Sequence, residues 1–480
     1  MKLKYLSTTL SLGLMLTVAG VTPEWWILAQ ENIRPETSQA APLSANPTGE
    51  NELDFFGSSA GPAGDVNGDG FADVIVGAFG FPKGSLQGKV YLYQGGPDGL
   101  SQTPAFTTAG ENNEDFFAIV AGAAGDVNGD GFADIIVGAS GFPGGANRGK
   151  VYVYHGSADG LSRRPAFSLT GENENDRFGF SAATAGDVNG DGFADIIVGA
   201  PGFPKGDLQG KVYVYHGSAG GLSRTPAFSV AGENNNDRFG SSVGTAGDVN
   251  GDGFADIIAG ATGSPQGNLR GKVYVYQGSA AGLSQTPAFS AAGENNADFF
   301  GSSVGAAGDV NGDGFADVIV GAFGFPGGAN RGKVYIYHGG ENGLSQRPAL
   351  SVTGENENDR FGFSAATAGD VNGDGFADII IGATGFPRGD LQGKGYVHQG
   401  SAGGLSRTPA FSVAGQNNDD FAGRSVGSVD DINGDGFAGV IISATGFPNG
   451  AGSGKVYLYQ GSANGLSATS AATPPDPKGF

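Results

Sequence analysis

The chain has 480 residues, of which 91 are glycine and 23 are proline, and 39% of all residues are apolar. Its net charge of −22 excludes a nucleic-acid-binding protein that works through phosphate contacts. The same charge disfavours electrostatic attachment to anionic lipid. Because cysteine is absent, disulfides, thiolate zinc sites and cysteine nucleophiles are excluded as well.

The amino terminus has the composition of a secretory signal peptide. Lys2 and Lys4 precede a largely apolar run at residues 6–21, and the small residue Ala29 offers a cleavage point. The alternative is an anchor that stays attached, but the run is shorter than the roughly 20 residues of a membrane-spanning helix. The sequence therefore predicts export, with a signal peptide at residues 1–29.

One nine-residue segment, DVNGDGFAD at residues 65–73, returns along the chain with few changes. This constant period predicts a repeat architecture over residues 49–474. It leaves a linker and candidate ring-closing strand at 30–48 and a tail at 475–480. The later copies follow at steps of 61 residues, without insertion or deletion, and start at Asp126, Asp187, Asp248, Asp309, Asp370 and Asp431.

Each copy contains four segments that are typical of strands. Residues 195–200 (DIIVGA) form a continuous apolar run, as in a strand buried on both faces. Residues 211–216 (KVYVYH) alternate with a period of two, and residues 226–231 (PAFSVA) and 239–246 supply two further strands. Seven copies of four strands predict an all-β, seven-bladed β-propeller. An open solenoid is disfavoured, because β-helix coils are much shorter than this repeat.

Closing a propeller ring requires a strand from the opposite terminus. Two segments, residues 42–49 and 470–475, align with the fourth-strand sequence PAFSVAG, and both match it poorly. We therefore expect the junction between the first and last blades to be the weakest in the ring.

The repeated acidic loop has the composition of a calcium site. Asp65, Asn67, Asp69 and Asp73 place side-chain oxygens at positions 1, 3, 5 and 9, and the carbonyl of Phe71 lies at position 7. Oxygen ligands of flexible geometry suit Ca²⁺ better than Mg²⁺ or zinc. Two carboxylates about 4 Å apart repel by about 4 kcal/mol at an effective dielectric of about 20, so a cation is expected among three. The alternative is a metal-free turn between two strands.

Six of the seven loops carry the complete ligand pattern. The loop is not an EF-hand, because position 12 is apolar in every copy where an EF-hand has a bidentate Glu. In the seventh loop Gly439 replaces the last Asp, so that site is expected to be weak or empty unless Asp430 compensates. The predicted calcium ligands are Asp65, Asn67, Asp69, Phe71, Asp73, Asp126, Asn128, Asp130, Phe132, Asp134, Asp187, Asn189, Asp191, Phe193, Asp195, Asp248, Asn250, Asp252, Phe254, Asp256, Asp309, Asn311, Asp313, Phe315, Asp317, Asp370, Asn372, Asp374, Phe376, Asp378, Asp431, Asn433, Asp435 and Phe437.

With these loops identified, the chain resembles a run of FG-GAP repeats, the units that build the seven-bladed propeller at the head of integrin α chains. A Phe-Gly pair stands at residues 56–57 and in four other copies, and Gly-Ala-Pro is complete at residues 199–201. The resemblance covers about residues 49–474. It implies a propeller fold with calcium in the acidic loops, between neighbouring strands of a blade, and it does not identify a partner.

No pattern in the sequence predicts a catalytic site or an organic cofactor site. His155, His216 and His338 occupy one repeat position at which the other copies carry Gln, which indicates a polar strand end. His398 replaces the last Tyr of a strand. An Asp and a Lys also recur in every copy, and we expect the former in turns or at strand entries and the latter at the surface or in ion pairs. They are Asp54, Asp115, Asp176, Asp237, Asp298, Asp359 and Asp420, and Lys89, Lys150, Lys211, Lys272, Lys333, Lys394 and Lys455.

The sequence predicts an exported, calcium-stabilised propeller that acts as an adhesion or ligand-binding module. It would work outside the cell or at its surface, the periplasm included, and would not insert stably into a membrane after signal cleavage. A protein or glycan would bind to a loop face of the ring. The alternative is an extracellular polysaccharide-active enzyme or a lectin-like module, which fold alone does not exclude.

Overall fold

The computed structural model describes residues 46–466, so the predicted signal peptide and tail lie outside the described range. Within residues 46–466, the regular secondary structure consists of β-strands. They are β1 (Phe56–Gly64), β2 (Asp73–Ala78), β3 (Lys89–Tyr93), β4 (Phe106–Ala109), β5 (Phe117–Gly125), β6 (Asp134–Ala139), β7 (Lys150–Tyr154), β8 (Phe167–Thr170), β9 (Ser181–Gly186), β10 (Asp195–Ala200), β11 (Lys211–Tyr215), β12 (Phe228–Ala231), β13 (Phe239–Gly247), β14 (Asp256–Ala261), β15 (Lys272–Tyr276), β16 (Phe289–Ala292), β17 (Ser303–Gly308), β18 (Asp317–Ala322), β19 (Lys333–Tyr337), β20 (Leu350–Thr353), β21 (Phe361–Gly369), β22 (Asp378–Ala383), β23 (Lys394–His398), β24 (Phe411–Ala414), β25 (Ala422–Ser428), β26 (Val440–Ala444) and β27 (Lys455–Tyr459).

The strands form seven antiparallel sheets, each with its strands in chain order. Six sheets have four strands, and the seventh contains β25, β26 and β27. The first strand of each sheet contacts the first strands of both neighbours, and β1 contacts β25, so the sheets surround a common axis as blades. The predicted seven-bladed β-propeller is confirmed, and β10, β11 and β12 lie within two residues of their predicted bounds.

The amino-terminal candidate segment pairs with the last blade. Thr48 forms an antiparallel bridge with Lys455, the N–H of Val456 donates to the carbonyl of Pro47 (3.1 Å), and the N–H of Gly49 donates to Gly454 (3.1 Å). This pairing stands where the other blades have a fourth strand of four residues. The other candidate, residues 470–475, lies outside the described residues.

This short pairing predicts a local weakness at the junction of the first and last blades. We expect the backbone amide of Val456 to exchange with solvent faster than those of Val212 and Val273, the equivalent residues of complete four-stranded blades. Residue-resolved hydrogen exchange measures this difference. Equal protection of the three amides would contradict the weak-junction prediction.

Hydrophobic side chains are buried between adjacent blades. The second strand of each blade, such as β10, is buried along its whole length, as expected for a continuous run of Ile and Val. Phe178 of a Phe-Gly pair packs edge-to-face on Tyr213, with ring centroids 5.3 Å apart, in a cluster that includes Ile136 of the preceding blade. Burial of such a side chain stabilises the fold by about 1.5–3 kcal/mol. In the seventh blade Ala422 replaces this Phe.

Glycines of the repeated motif allow adjacent blades to approach closely. Gly138, near the end of β6, faces the carbonyl oxygen of Gly179 in the next blade, and a Cβ on Gly138 would overlap this oxygen. Gly149 has a φ of +84° and forms a parallel bridge with Phe178. Gly138 and Gly149 therefore lie at the junction between two blades, where the neighbouring backbone leaves no space for a side chain on either residue.

The recurring Asp before each first strand is a turn residue, as the sequence predicts. Asp176 is fully buried. Its Oδ2 accepts from the N–H of Asn173 (2.8 Å), and its Oδ1 accepts from the N–H of Lys205 (2.8 Å) in the turn between the second and third strands. These hydrogen bonds join the segment before the first strand to the turn between the second and third strands, at the end of the blade opposite the acidic loop. Across residues 46–466, no helix is long and apolar enough to span a membrane.

Candidate metal centres

The acidic loops connect the first and second strands of each blade. In the fourth loop, Asp248 Oδ1 accepts from the N–H groups of Gly251 (2.7 Å) and Asp252 (3.2 Å), and its Oδ2 accepts from that of Gly253 (2.8 Å). The φ values of Gly251 (+73°) and Gly253 (+89°) favour glycine at these two positions. The loop is thus wound around the carboxylate of its first residue.

Positions 3 and 5 add two further oxygen-bearing side chains. Asn250 Nδ2 donates to Asp252 Oδ2 (2.8 Å), and the N–H of Phe254 donates to Asp252 Oδ1 (3.1 Å). Asp252 is exposed at the tip of the loop, whereas Asn250 is half-buried. The tip therefore presents oxygen atoms to solvent.

Position 9 holds a buried carboxylate. Asp256 has no exposed surface, and its two oxygens accept from the N–H groups of Val249 (3.0 Å) and Gly278 (2.9 Å). Burial, supplemented by repulsion from Asp252 and Asp248, raises the pKa of Asp256 to about 6. Three carboxylates therefore lie close enough to influence one another.

The donor set fits a hard cation. Asp248, Asp252 and Asp256 supply carboxylates, Asn250 supplies an amide oxygen, and each ionised carboxylate has about four lone-pair sites, more than the backbone amides use. Within residues 46–466, no three acidic or imidazole side chains already converge on one point.

The seventh loop lacks the buried carboxylate. The bonds of Asp431 to the loop amides are kept, but Gly439 stands at position 9. Asp430 is exposed, and its Oδ1 accepts from the hydroxyl of Ser428 (3.2 Å). The Asp430 carboxylate is therefore exposed, unlike the buried carboxylate at position 9 of the other six loops.

Neighbouring loops contact one another around the ring, which sequence reasoning missed. The N–H of Ala255 donates to the carbonyl of Asp187 in the preceding loop (2.9 Å). The ring of Phe254 covers Gly190, on which a Cβ would lie 2.6 Å from the Phe254 ring. The same contacts join the last loop to the first, where Phe71 covers Gly434. The repeated Phe and Gly of the loop were the only signal in the sequence.

The histidines that replace Gln also lie beside the loops. His216 Nδ1 is 3.2 Å from Asn189 Nδ2, and His155 and His338 make the equivalent contacts at 3.1 and 3.2 Å. His398 is different: its Nδ1–H donates to the carbonyl of Ser406 (2.9 Å), and burial lowers its pKa. The sequence predicted a polar strand end for the first three but not their contact with the loops.

Comparison with known proteins agrees with this architecture. The FG-GAP repeat family matches residues 56–93, 119–154, 178–215, 239–276 and 422–459, and the FG-GAP-like repeat family matches residues 309–381. Together these segments cover more than half of the chain.

Curated relatives include three integrin α chains. Integrin alpha-V of Gallus gallus is 37% identical over 213 residues, which are 42% of this chain and 20% of the relative. Integrin alpha-4 of Xenopus laevis is 34% identical over 213 residues, 43% of this chain and 20% of the relative. Integrin alpha pat-2 of Caenorhabditis elegans is 34% identical over 265 residues, 51% of this chain and 20% of the relative. The matches thus span about a fifth of each relative, and the chain belongs to the family of FG-GAP repeat proteins.

Proposed function

We propose that this chain is an exported, calcium-stabilised propeller that acts as a non-enzymatic adhesion or ligand-binding module outside the cell or at its surface. The integrin α relatives support a binding role for the propeller. The acidic loops support a structural role for calcium, because folding brings the carboxylates together and a bound cation would then stabilise the folded state. The charge and composition of residues 1–29 support export.

The observation that carries the binding role is the variation among otherwise similar blades at one end of the ring. We call this end the mouth: it comprises the residues directly flanking the start of each first strand and the end of each second strand, opposite the acidic loops. The residue before each Phe-Gly position is aromatic in four blades and cationic in three, and the set is Phe55, Phe116, Arg177, Arg238, Phe299, Arg360 and Phe421.

Aromatic side chains at the mouth contact one another across blade boundaries. Phe55 stacks on Phe79 (centroids 5.3 Å apart), which also contacts Phe116 of the next blade (6.2 Å). A second group joins Phe323 to Phe363 (ring centroids 5.5 Å apart) across the boundary between the fifth and sixth blades. These rings are half-buried, so they offer apolar area in a fixed arrangement.

Arginines at the mouth are available to a ligand. Arg177 and Arg238 are exposed, and neither forms an ion pair within residues 46–466. Aromatic residues and Arg are the side chains most enriched at the energetic centres of protein interfaces. The aromatic and Arg side chains of the mouth therefore support a role of this end of the ring as a ligand-binding surface.

Substitution of the mouth arginines tests the proposal. The wild type is assayed against a panel of immobilised extracellular proteins and polysaccharides, and any ligand found is assayed with Arg177→Ala/Arg238→Ala. We expect at least a tenfold loss of affinity, equivalent to about 1.4 kcal/mol. The matched control is Arg163→Ala/Arg164→Ala. These two exposed residues lie between β7 and β8, at the end of the ring that carries the acidic loops and opposite the mouth.

Three results would count against the proposal. Equal loss of affinity in both double variants would place the binding surface away from the mouth. Turnover of a polysaccharide at enzyme-like rates would favour the enzymatic alternative, and glycan binding without turnover would assign the module to the lectin-like class.

A further inference from the structure

Six blades contain a half-buried lysine that forms an ion pair with a carboxylate. In each, the Lys that begins the third strand pairs with a Glu that follows the outermost strand of the preceding blade, at 2.6–2.8 Å. In five of these blades the same Glu oxygen also accepts from a Tyr hydroxyl, as in the bond of Tyr213 to Glu172 (2.9 Å). The ammonium group of Lys211 lies over the rings of Phe203 and Tyr213, 4.8 and 4.6 Å from their centroids.

The seventh blade has this arrangement without the carboxylate. Lys455 Nζ lies over the rings of Phe447 and Tyr457, at 4.9 and 4.8 Å, as the equivalent Lys does in five of the other blades. Gln416 stands at the position of the Glu, and Lys455 has no ion pair within residues 46–466. Burial lowers the pKa of Lys455.

A second group at the same place also lacks a partner. Tyr457 is 6% exposed, and its buried hydroxyl has no hydrogen-bond partner. In the fourth blade the hydroxyl of Tyr274 lies beside Glu233, which also pairs with Lys272, so that blade keeps its internal carboxylate. Only the seventh blade, among the described residues, thus combines an unpaired Lys with an unpaired Tyr hydroxyl. A buried polar group without a partner is destabilising, so a ligand that supplies one oxygen atom to both the Lys455 ammonium and the Tyr457 hydroxyl would be bound favourably.

We propose that Lys455 and Tyr457 form a binding site for a carboxylate supplied by another molecule, which takes the position that Glu holds in the six sibling blades. The Glu side chains of those blades are 48–54% exposed, so the position is open to solvent. A singly charged carboxylate fits better than a phosphate, because the site offers one ammonium and one hydroxyl. Asp420 also lies near Lys455, and its negative charge would oppose a dianion.

The source of the carboxylate is either an acidic side chain of a polypeptide or a uronic acid of a polysaccharide. Both carry the same group, and an acidic side chain is favoured because the six internal examples are themselves Glu residues. The site lies at the outer part of the blade, at the start of β27, whereas the mouth lies around the axis. It therefore does not depend on the ligand of the mouth.

Lysine-selective NMR of the full chain tests the site directly. The ammonium resonance of Lys455 is followed during titration with sodium acetate, and separately with sodium chloride at equal ionic strength. We expect a saturable shift with acetate and none with chloride. An acetyl-Glu amide and methyl glucuronide then serve as probes for the two sources, and tighter binding of the first is expected.

Two variants exchange the blades whose Lys has a Glu partner with the one whose Lys has none. Gln416→Glu supplies an internal carboxylate and should weaken acetate binding at Lys455 at least tenfold. Glu172→Gln removes the carboxylate that pairs with Lys211 of the third blade and should give Lys211 the acetate response that only Lys455 shows in the wild type. Both changes alter a half-exposed side chain without changing its size, so the fold is retained.

Three results would overturn the proposal. The first is a Lys455 response that is equal for acetate and chloride. The second is a response that survives Gln416→Glu unchanged. The third is a wild-type Lys455 that ignores acetate until residues 467–480 are removed, because this would make the tail of the chain itself the occupant.

Discussion

A thermal melt of residues 30–480 should shift upward by about 10 °C or more between excess chelator and about 10 mM Ca²⁺. Extracellular calcium modules bind with a Kd of about 10⁻⁴–10⁻³ M. At that affinity, each loop that binds calcium only when folded contributes about 1.4–2.7 kcal/mol. The six loops with a buried Asp at position 9 would together add about 8–16 kcal/mol, which is large for any protein.

Magnesium at the same concentration is the control for this melt. Mg²⁺ demands a nearly ideal octahedral geometry and releases its water reluctantly, so we expect a much smaller shift. Identical curves in calcium and chelator would mean that the loops act only as turns, or that their sites bind too weakly to matter.

Substitution of one position-9 carboxylate should remove one site. Asp256→Asn keeps the size of the side chain but removes its charge, and we expect the calcium-dependent part of the shift to fall by about one sixth. The matched control is Asp430→Asn in the seventh loop, whose carboxylate is exposed and bonded to Ser428. An equal reduction in both variants would show that Asp430 serves a seventh site after all.

The second large effect is expected at a junction between blades. Gly149→Ala places a Cβ against the carbonyl oxygen of Phe178 in the next blade, at a φ of +84°. Gly160 has the same φ, but its nearest neighbour would lie 3.9 Å from an added Cβ. Backbone strain of about 1–2 kcal/mol is therefore common to both substitutions, and Gly149→Ala adds ~1–3 kcal/mol of steric overlap.

Urea unfolding in saturating calcium measures this difference. We expect the Gly149→Ala variant to unfold at a clearly lower urea concentration than Gly160→Ala, with both below the wild type. If the two variants lost the same free energy of unfolding, the close approach of Gly149 to Phe178 would have no role in stability.

The sequence by itself determined the repeat, its strands and its acidic loops. Each of these features is local: the DIIVGA run, the alternating KVYVYH segment and the spacing of oxygen-bearing residues all fit within a single copy of 61 residues. The constant period then implied a closed ring, because a four-stranded unit that repeats seven times must bury its faces against its neighbours.

Only the tertiary structure decided which residues of different copies meet. The contact of Phe254 with Gly190, the close approach of Gly138 to Gly179 and the pairing of Lys211 with Glu172 all join residues 39 or more positions apart. Because the seven copies are nearly identical, each residue has equivalent candidate contact partners in all of them. The pattern within one copy therefore does not predict which copy supplies the contact. Closure of the ring fixes which residues pair. Among the described residues, it also shows that Lys455 of the seventh blade lacks the Glu partner that the equivalent Lys has in the other six blades.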